Sequence, residues 1–440
     1  MKYKKYSKYK DSGIKWLGSI PEHWKVNSLK SLLKERKENN NPIKTSNILS
    51  LCMYKGVIPY SEKGNSGNKS KDDLTAYKLA YPGDIVLNSM NVIAGSVGLS
   101  KYFGAVSPVY YMLRPRNNEN SVEYFNNIFQ SESFQKSLYG LGNGIMIKES
   151  INSGKLNTIR MRIPMDKLNS VLLPNPEKSE QKLIADFLDK KSAEIDILLK
   201  NQTKLIELLK EKKQSVISDA VTKGINSNVK RKNSGVKWLG KIPEHWKIVQ
   251  SRRLFEARKE KIRKGDEQLT ASQKHGVIYQ KEFMRLEGRK VTLVLKGSEI
   301  LKHVEAGDFV ISMRSFQGGL ELCKYSGSVS SAYIGLIPIK HVVHDYFKYL
   351  FKSVTYIQAL QSTSNLVRDG QALRFENFSQ VDLVIVPEKE QQQIANYLDE
   401  KTSTIDKLIE KANKSIILLK EKRTALISAA VTGKIDVREL

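Results

Sequence analysis

Residues Ser12–Lys25 read SGIKWLGSIPEHWK and residues Ser234–Lys247 read SGVKWLGKIPEHWK, so only two of fourteen positions differ. A second block is also repeated, since Glu180–Asp189 reads EQKLIADFLD and Glu390–Asp399 reads EQQQIANYLD. The long segments between the blocks share little recognisable sequence. Internal repeats of this kind indicate duplicated structural units. We therefore interpret the chain as one frame that occurs twice and carries two different inserts.

The composition bounds the size of the protein and the nature of its partners. The chain has 440 residues, which allows roughly two to four domains, each large enough to bury a hydrophobic core. It contains 73 Lys and Arg residues against 46 Asp and Glu residues, a formal net charge of +27. Such a surplus favours a polyanionic partner, most commonly the phosphate backbone of a nucleic acid. A solvated basic surface without a partner accounts less well for an excess of this size.

The cysteine content and the hydropathy pattern indicate the compartment. Cys52 and Cys323 are the two cysteines of the chain and lie far apart in sequence. They offer neither a disulfide framework nor a cysteine-based zinc site, which is typical of a reducing compartment. Residues Met1–Lys10 are polar and basic, and no apolar run approaches the length that spans a bilayer. We therefore expect a cytoplasmic protein that does not associate with membranes.

The two inserts carry the same order of predicted elements. Short apolar runs rich in β-branched and aromatic residues predict strands, and longer runs with apolar residues at helical spacing predict helices. The first insert, roughly residues 26–175, has strands at Asp84–Leu87 and Val109–Leu113 and a helix at Tyr124–Leu138; the second, roughly residues 248–386, has strands at Asp308–Ile311 and Tyr333–Ile337 and a helix at Tyr346–Leu360. We therefore expect each insert to form a similar α+β domain.

The second repeated block begins a long helix in each copy. From about Glu180 to Thr222 the chain has no Pro or Gly and is rich in helix-forming residues. Mostly apolar residues recur there at alternating steps of four and three, the pattern of a coiled-coil seam. The seam positions are Ile195, Leu199, Gln202, Ile206, Leu209, Lys213, Val216 and Ala220 in the first copy and Ile405, Ile409, Ala412, Ile416, Leu419, Arg423, Leu426 and Ala430 in the second. Some 40 residues of helix would measure roughly 60 Å, and Gly224 and Gly433 are placed to end the two helices.

Two such helices in one chain can bury each other's apolar stripes. The second helix could lie beside the first in either direction, because a whole globular domain connects them. Antiparallel pairing would relate the two copies by a pseudo-two-fold axis. Alternatively, each helix packs on its own globular domain or forms an intermolecular coiled coil. We favour the intramolecular pair because the two seams match in length and register.

The sequence contains no recognisable catalytic or cofactor-binding motif. It lacks a complete phosphate-binding loop, an amino-methyltransferase motif with its aromatic residue, and a Gly-rich dinucleotide-binding loop. His341 and His344 lie three residues apart without a third ligand nearby, which is a weak sign of a metal site. His23 and His245 recur between Pro and Trp residues, where packing or a turn is favoured over catalysis. We therefore expect no catalytic residue, no cofactor and no bound metal.

The repeated opening Gly-[Ile/Val]-Lys-Trp-Leu-Gly-x-Ile-Pro-Glu-His-Trp resembles the start of target-recognition domains in type I restriction-modification specificity subunits. The block Glu-Gln-x-x-Ile-Ala-x-[Phe/Tyr]-Leu-Asp, which leads into each long helix, resembles the same family. The resemblance covers essentially the whole chain. One departure is that the second insert is shorter, since the offset between the copies falls from 222 residues at the opening to 210 at the helix.

The resemblance implies an α+β protein in which two globular target-recognition domains are separated by a pair of long antiparallel coiled-coil helices, with a pseudo-two-fold internal repeat. The implied domains are a first target-recognition domain at 1–175, a first spacer helix at 176–224, a second target-recognition domain at 225–386 and a second spacer helix at 387–440. Each recognition domain would read one half of a bipartite site in double-stranded DNA, and the helices would set the unread spacer. The implied partners are two methyltransferase subunits and, in the full complex, two restriction subunits. The chain itself would be non-catalytic.

Candidate base readers lie in polar loops between the predicted strands. They are Asn65, Asn68, Lys69, Asn88, Asn91 and Lys148 in the first domain and Lys274, Arg314, Gln317, Arg368, Gln371 and Arg374 in the second. Arg pairs well with guanine, and Asn or Gln with adenine, through two hydrogen bonds to the base edge. For any single residue of this set, a solvated loop or a phosphate contact is the commoner role.

Two other functions remain open at this point. The chain could be a coiled-coil scaffold that docks partner proteins without reading DNA sequence, and this would require no DNA affinity. It could also be the recognition part of a solitary restriction–methylation enzyme, and this would require catalytic motifs that the sequence lacks.

Overall fold

The computed structural model describes residues 3–52, 56–64, 70–145, 160–272, 275–288, 300–312, 320–363 and 374–439. The chain forms two compact units. Unit 1 consists of Met1–Gln202 and Lys414–Leu440, and unit 2 consists of Thr203–Asn413. Each unit contains one insert and parts of both long helices, so the division falls within the helices rather than at their ends.

The first half of the chain contains fourteen strands and five α-helices in its described residues. The strands are β1 Tyr9–Asp11, β2 Ser19–Pro21, β3 Lys25–Ser28, β4 Leu33–Arg36, β5 Leu49–Cys52, β6 Gly56–Pro59, β7 Lys78–Ala80, β8 Ile85–Asn88, β9 Val97–Leu99, β10 Gly104–Val106, β11 Tyr110–Pro115, β12 Asn143–Ile145, β13 Arg160–Arg162 and β14 Leu172–Asn175. The helices are α1 Leu29–Leu32, α2 Val122–Gln130, α3 Glu132–Ser137, α4 Met165–Asn169 and α5 Lys178–Lys223.

The second half follows the same order of main elements. Its strands are β15 Arg231–Asn233, β16 Lys241–Pro243, β17 Lys247–Gln250, β18 Phe255–Ala257, β19 Leu269–Ser272, β20 Gly276–Tyr279, β21 Lys302–Val304, β22 Phe309–Ser312, β23 Glu321–Leu322, β24 Gly327–Val329, β25 Tyr333–Pro338 and β26 Asp382–Ile385. Its helices are α6 Gln280–Glu287, α7 His344–Leu350, α8 Val354–Ser362, α9 Phe375–Ser379 and α10 Glu388–Val431.

A four-stranded antiparallel sheet lies at the centre of each unit. Its strand order is β4-β11-β8-β9 in unit 1 and β18-β25-β22-β23 in unit 2. The strands expected from the sequence of the inserts are β8, β11, β22 and β25, with ends displaced by at most two residues. The equal strand orders confirm that two dissimilar inserts adopt the same α+β fold.

Alternating side chains on these strands serve two different cores. Ile85 and Leu87 of β8 belong to the larger core of unit 1, whereas Val86 between them belongs to a smaller one. In unit 2, Phe309 of β22 belongs to the larger core and Val310 to the smaller one. Successive residues of a strand point to opposite faces. Both faces are covered here, which explains why the first three residues of β8 and of β22 are all apolar.

Each insert has two short helices where the sequence predicts one. The runs Tyr124–Leu138 and Tyr346–Leu360 were expected to be single helices, but Ser131 ends α2 and begins α3, and Ser353 immediately precedes α8. Each serine hydroxyl accepts a hydrogen bond from the backbone N–H three residues later. A serine cap of this kind satisfies a free N–H at the start of a helix. It therefore allows the chain to begin a new helix while the apolar spacing continues.

In their middle sections the two long helices bury the predicted seam and expose the rest of their surface. Helix α5 has 46 residues and α10 has 44, so both are roughly 65–70 Å long at 1.5 Å per residue. From position 195 to position 213 every seam residue is buried or half-buried, and every residue between seam positions is exposed. The same pattern holds from position 405 to position 414. The seam is therefore the face along which the helices are packed.

The helices run antiparallel. In unit 1 the beginning of α5 shares a core with the end of α10, through Leu188 and Leu426 among others. In unit 2 the end of α5 shares a core with the beginning of α10, through Val221 and Leu398 among others. This order of packing confirms the antiparallel pair expected from the family resemblance.

Two ion pairs occupy equivalent places along the helix pair. In unit 2, Lys213 Nζ lies 2.7 Å from the Asp406 carboxylate. In unit 1, the guanidinium of Arg423, which is the counterpart of Lys213, pairs with Asp196 and also donates to the backbone carbonyl of Ser192. The two basic seam positions therefore make the same contact twice, once in each unit.

Glycine ends both long helices in a left-handed conformation. Gly224 follows α5 with a φ of +73°, and Gly433 lies just beyond α10 with a φ of +71°. A β-carbon at Gly433 would collide with Cδ of Pro21. Both the conformation and the close approach favour glycine there.

No helix in the described parts of the chain is long and apolar enough to cross a membrane.

Candidate nucleic-acid interface

Three of the candidate base readers lie in described parts of the chain, namely Asn88, Asn91 and Arg374. Asn88 ends β8, and the Asn91 N–H donates to its backbone carbonyl at 3.0 Å, so both residues belong to one turn in unit 1. Arg374 is exposed and directly precedes α9 in unit 2. The other candidates lie outside the described residues: Asn65, Asn68, Lys69, Lys148, Lys274, Arg314, Gln317, Arg368 and Gln371.

The turn after β8 uses one side-chain oxygen to hold its shape. The Oδ1 atom of Asn88 accepts a hydrogen bond from the Met90 N–H at 3.0 Å. The backbone carbonyl of Asn91 accepts from the N–H groups of Ala94 and Ser96. These local contacts are typical of Asn in turns. The Nδ2 group of Asn88 makes no hydrogen bond within the described parts of the chain.

A buried arginine–aspartate pair supports the central sheet of each unit. In unit 1, Arg36 donates two hydrogen bonds to Asp84, at 2.8 Å from Nε and at 3.2 Å from Nη2. In unit 2, Arg258 donates to Asp308 at 2.6 Å and 3.0 Å. The carboxylate raises the pKa of each guanidinium above its ordinary value. Two parallel hydrogen bonds of this kind fix the orientation of both side chains. They connect the end of β4 with the residue before β8 in unit 1, and the residue after β18 with the residue before β22 in unit 2.

A half-buried lysine lies beside the strand that adjoins the turn in unit 1. The amino group of Lys78 donates to the backbone carbonyl of Tyr110 at 2.8 Å, and Tyr110 pairs with Asn88 across the sheet. The amino group of Lys302 donates to the carbonyl of Tyr333 at 2.9 Å, at the equivalent place in unit 2. Burial lowers the pKa of both amino groups below the usual lysine range.

The two repeated blocks meet at a buried carboxylate in unit 1. We call this group, Tyr6, His23, Trp24 and Glu180, the unit 1 joint. The Glu180 side chain is 6% exposed. Its Oε1 accepts hydrogen bonds from the Tyr6 hydroxyl at 2.7 Å and from Trp24 Nε1 at 3.1 Å, and His23 Nε2 lies 2.8 Å from Oε2. Burial and the Glu180 contact raise the pKa of Tyr6 above its ordinary value, so its hydroxyl remains a donor.

The same contact recurs in unit 2 with fewer partners. We call His245, Trp246 and Glu390 the unit 2 joint. Trp246 Nε1 donates to Glu390 Oε2 at 3.1 Å, and His245 Nε2 lies 2.8 Å from the same oxygen. The Glu390 side chain is 20% exposed. Each histidine of the opening motif therefore has a packing role, as the sequence indicates, but the glutamate that it contacts was not foreseen.

The glutamine that follows each joint glutamate fixes the insert. Gln181 Oε1 accepts from the N–H of Ser121, the residue that caps α2, at 2.8 Å. Gln391 Oε1 accepts from the N–H of Val343, which precedes α7, at 3.1 Å. The Glu-Gln pair at the start of each long helix thus connects the opening motif with the helices of the insert. This explains why the two blocks are repeated together.

The described residues contain no group of three or more His, Cys, Asp and Glu side chains that could hold a metal ion. His341 lies 3.7 Å from Glu388, and the ring of His344 stacks on Phe309. The two histidines that lie three residues apart in the sequence therefore have separate neighbours.

Part of the second half of the chain matches the model of a known protein family. Residues 243–417 match the family model described as the type I restriction modification DNA specificity domain. A relative from Methanocaldococcus jannaschii, named for the specificity subunit of the type I restriction enzyme MjaX, is 24% identical over 445 residues. That match covers 98% of this chain and 98% of the relative.

Solved structures share the fold at low sequence identity. A chain from a structural study of type I restriction-modification complex assembly has a TM-score of 0.65 and 11% identity, and the match covers 94% of this chain and 98% of that one. The HsdS subunit from Thermoanaerobacter tengcongensis has a TM-score of 0.52 and 12% identity, with the same shares covered. Residues 243–417 thus match the type I restriction modification DNA specificity domain, the chain is similar along its length to a relative named as a type I specificity subunit, and it shares its fold with solved structures that include the HsdS subunit.

Proposed function

We propose that this chain reads a bipartite site in double-stranded DNA, one half with each unit, and directs methyltransferase and restriction subunits to it. The observation that carries the proposal is the presence of two dissimilar inserts with the same sheet order on one duplicated frame. Equal frames present their inserts to DNA in the same way, and unequal loops read different bases. The net charge of +27 supplies the attraction to the phosphate backbone.

The helix pair is proposed to set the unread spacer between the half-sites. Each helix is continuous over more than 40 residues, and long helices resist bending because every turn is hydrogen-bonded to the next. Two half-sites one helical turn of DNA apart have centres about 34–36 Å from each other, which is well within the length of these helices.

The exposed faces of the long helices are the proposed contact for two methyltransferase subunits. Large apolar side chains point outward at Ile197, Leu198, Leu205 and Leu208 of α5 and at Leu408, Ile417 and Leu418 of α10. Exposed apolar patches mark surfaces that associate with other proteins. Two restriction subunits would join the full complex, which would act in the cytoplasm.

Exchanging one insert tests the two-reader proposal. Residues 248–386 are replaced by the equivalent segment of a relative, the chain is expressed with its methyltransferase subunits, and the methylated sites are mapped by sequencing. One half-site should change, while the other half-site and the spacing stay the same. Exchange of residues 26–175 is the matched control and should change the opposite half. A change in the whole site, or in none of it, would contradict the proposal.

Lengthening the helices tests their role as a spacer. Seven residues are inserted into α5 after Gln202 and into α10 after Ala412, near the middle of the antiparallel pair, where the two added heptads oppose each other and the seam is preserved. The gap between half-sites should lengthen while both half-sites are retained. An active protein with an unchanged gap would show that the helices do not set the spacing.

The scaffold alternative makes a different prediction for the same preparations. A scaffold without sequence readout would bind methyltransferase subunits but would not confer any target preference on them. Methylation that is independent of the inserts would therefore favour this alternative.

A further inference from the structure

Unit 1 contains a groove of about 420 Å³ that is lined by basic side chains. It is formed by β4, the end of β11, the loop that follows β11 and the first residue of α5. We call it the basic groove; its lining includes Lys34, Arg114, Arg116, Asn117, Asn120 and Lys178. No carboxylate is present among the described residues that line it, and the amides add further hydrogen-bond donors.

Two of these cations face each other across the sheet, which lowers the stability of the folded state. Lys34 and Arg114 are directly paired across the antiparallel strands β4 and β11, and like charges in this position destabilise a sheet. The Nε atom of Arg114 is buried and has no hydrogen-bond partner among the described residues. None of the four cations of the groove forms an ion pair within that part of the chain. A bound anion would remove both penalties.

Unit 2 has the opposite charge at the equivalent place. Glu256 and Ile337 pair across β18 and β25 in the position of Lys34 and Arg114. Ile339 takes the place of Arg116, because the Arg116 N–H donates to the carbonyl of Leu32, directly before β4, and the Ile339 N–H donates to that of Leu254, directly before β18.

The first residue of the long helix also changes from basic in unit 1 to acidic in unit 2, since α5 begins with Lys178 and α10 begins with Glu388. Four cations in unit 1 thus correspond to two carboxylates and two isoleucines in unit 2. The basic groove is therefore a property of unit 1 and not of the repeated frame.

We propose that the basic groove binds phosphodiester groups of DNA, so that unit 1 holds the DNA backbone at a contact that unit 2 does not make. The proposal rests on the DNA binding proposed above and extends it to a named site. Clustered Lys and Arg side chains with amide donors suit phosphate oxygens. The duplex supplies such groups along its whole length.

The groove lies away from the turn that contains the candidate readers. Arg114 lies near one end of β11, and Tyr110, which pairs with Asn88, lies at the other end. Four residues of strand separate the two positions, a distance of roughly 14 Å. This corresponds to about four base-pair steps along DNA. The contacted phosphates should therefore lie beside the half-site of unit 1 and not within its bases.

Salt dependence of DNA binding tests the proposal. The full chain is assembled with its methyltransferase subunits, and its affinity for a duplex that contains the methylated site is measured between 50 and 200 mM salt. The variant Lys34→Gln/Arg114→Gln should bind all sequences more weakly and with a shallower salt slope. Each lost phosphate contact contributes about 0.9 to the slope, or about 3.5-fold in affinity across this range. The preference for the target over other sequences should not change.

A matched control removes the same charge elsewhere. Lys324→Gln/Lys340→Gln eliminates two exposed cations of unit 2 and should alter the slope less than the groove variant. Ethylation interference on the wild-type complex should mark phosphates beside the first half-site without equivalents beside the second. Equal slopes for the groove variant and the control, or symmetrical interference, would overturn the proposal.

Two further measurements distinguish a DNA phosphate from a free phosphate compound in the groove. Glu256→Lys/Ile337→Arg builds the charges of the groove into unit 2 and should steepen the slope; failure of this variant to do so would count against the proposal. If labelled triphosphate binds the wild-type complex and not the groove variant, while the DNA slope is unchanged, the ligand is a free phosphate compound and the DNA proposal is wrong. If the wild-type complex shows no preference for its target, the proposed function itself fails.

Discussion

The joint of unit 1 and the joint of unit 2 have the same sequence motifs but different surroundings. Glu180 receives hydrogen bonds from two donors and contacts His23, and it is 6% exposed. Glu390 lacks the tyrosine contact and is 20% exposed. The duplicated frame thus preserves the contact itself, while residues outside the repeated motifs determine how deeply it is buried.

The first prediction concerns the first copy of the repeat when it is expressed without the second. Residues 1–224 alone should form a dimer, because unit 1 is completed by Leu426, Ala430 and Val431 from the other repeat. The half-chain contains the equivalents of these residues at the end of its own α5, where a second copy could supply them. Light scattering after size-exclusion chromatography measures the mass. A well-folded monomer would show that the two helix ends are not interchangeable.

The second prediction compares the stability that each joint contributes, through one substitution in each. Glu180→Ala should lower the free energy of unfolding of unit 1 by about 3 kcal/mol or more, because it leaves buried donors without an acceptor. Glu390→Ala should lower that of unit 2 by about 1–2 kcal/mol, since its joint is more exposed and has fewer donors. Hydrogen exchange resolves the two units separately. Equal losses of protection would show that the extra burial in unit 1 does not stabilise it.

Sequence patterns predicted the parts of the fold that depend on periodicity. The seam of the long helices follows from its spacing, because one side of each helix must be apolar, and the strands β8 and β11 follow from short continuous runs of apolar, β-forming residues. The division of Tyr124–Leu138 was missed because the helical spacing continues through Ser131, and a cap depends on local hydrogen bonds that spacing does not report.

The contacts of the site depend on residues that are distant in sequence. Glu180 and His23 are 157 positions apart, and Lys34 and Arg114 meet only through the register of two strands. The two repeated sequence blocks occur together in both copies, and this was a signal that they contact each other. The basic groove had no such signal, since it occurs in one unit only.

The third prediction compares the equivalent ion pairs of the helix seam. Double-mutant cycles that replace Arg423 and Asp196, or Lys213 and Asp406, with alanine should give coupling energies of about 0.2–1 kcal/mol, since the acidic partners are exposed. The Arg423 pair should show the larger value because its guanidinium is less exposed than the Lys213 amino group and is held in place beside Asp196 by the Ser192 carbonyl. Thermal unfolding of the four variants of each cycle provides the measurement. A larger coupling for Lys213 would contradict this ranking.

The smallest predicted effect is a dependence of stability on acidic pH, and it is confined to unit 1. Hydrogen bonds from Arg438 lower the pKa of Asp436 below its ordinary value, and the Arg438 guanidinium lies 4.8 Å from the centre of the Tyr6 ring in the unit 1 joint. A carboxylate with a lowered pKa stabilises the folded state at neutral pH, and the contribution is lost as the pH falls through that lowered value. Asp436→Asn should therefore lower the melting temperature slightly at pH 7, by the equivalent of less than about 1 kcal/mol, and the difference from wild type should shrink as the pH approaches 3. Glu410→Gln, which alters an exposed acid of unit 2 that forms no ion pair among the described residues, is the control for general effects of charge. A difference between Asp436→Asn and the wild type that grows on acidification would show that Asp436 does not stabilise the joint as a carboxylate.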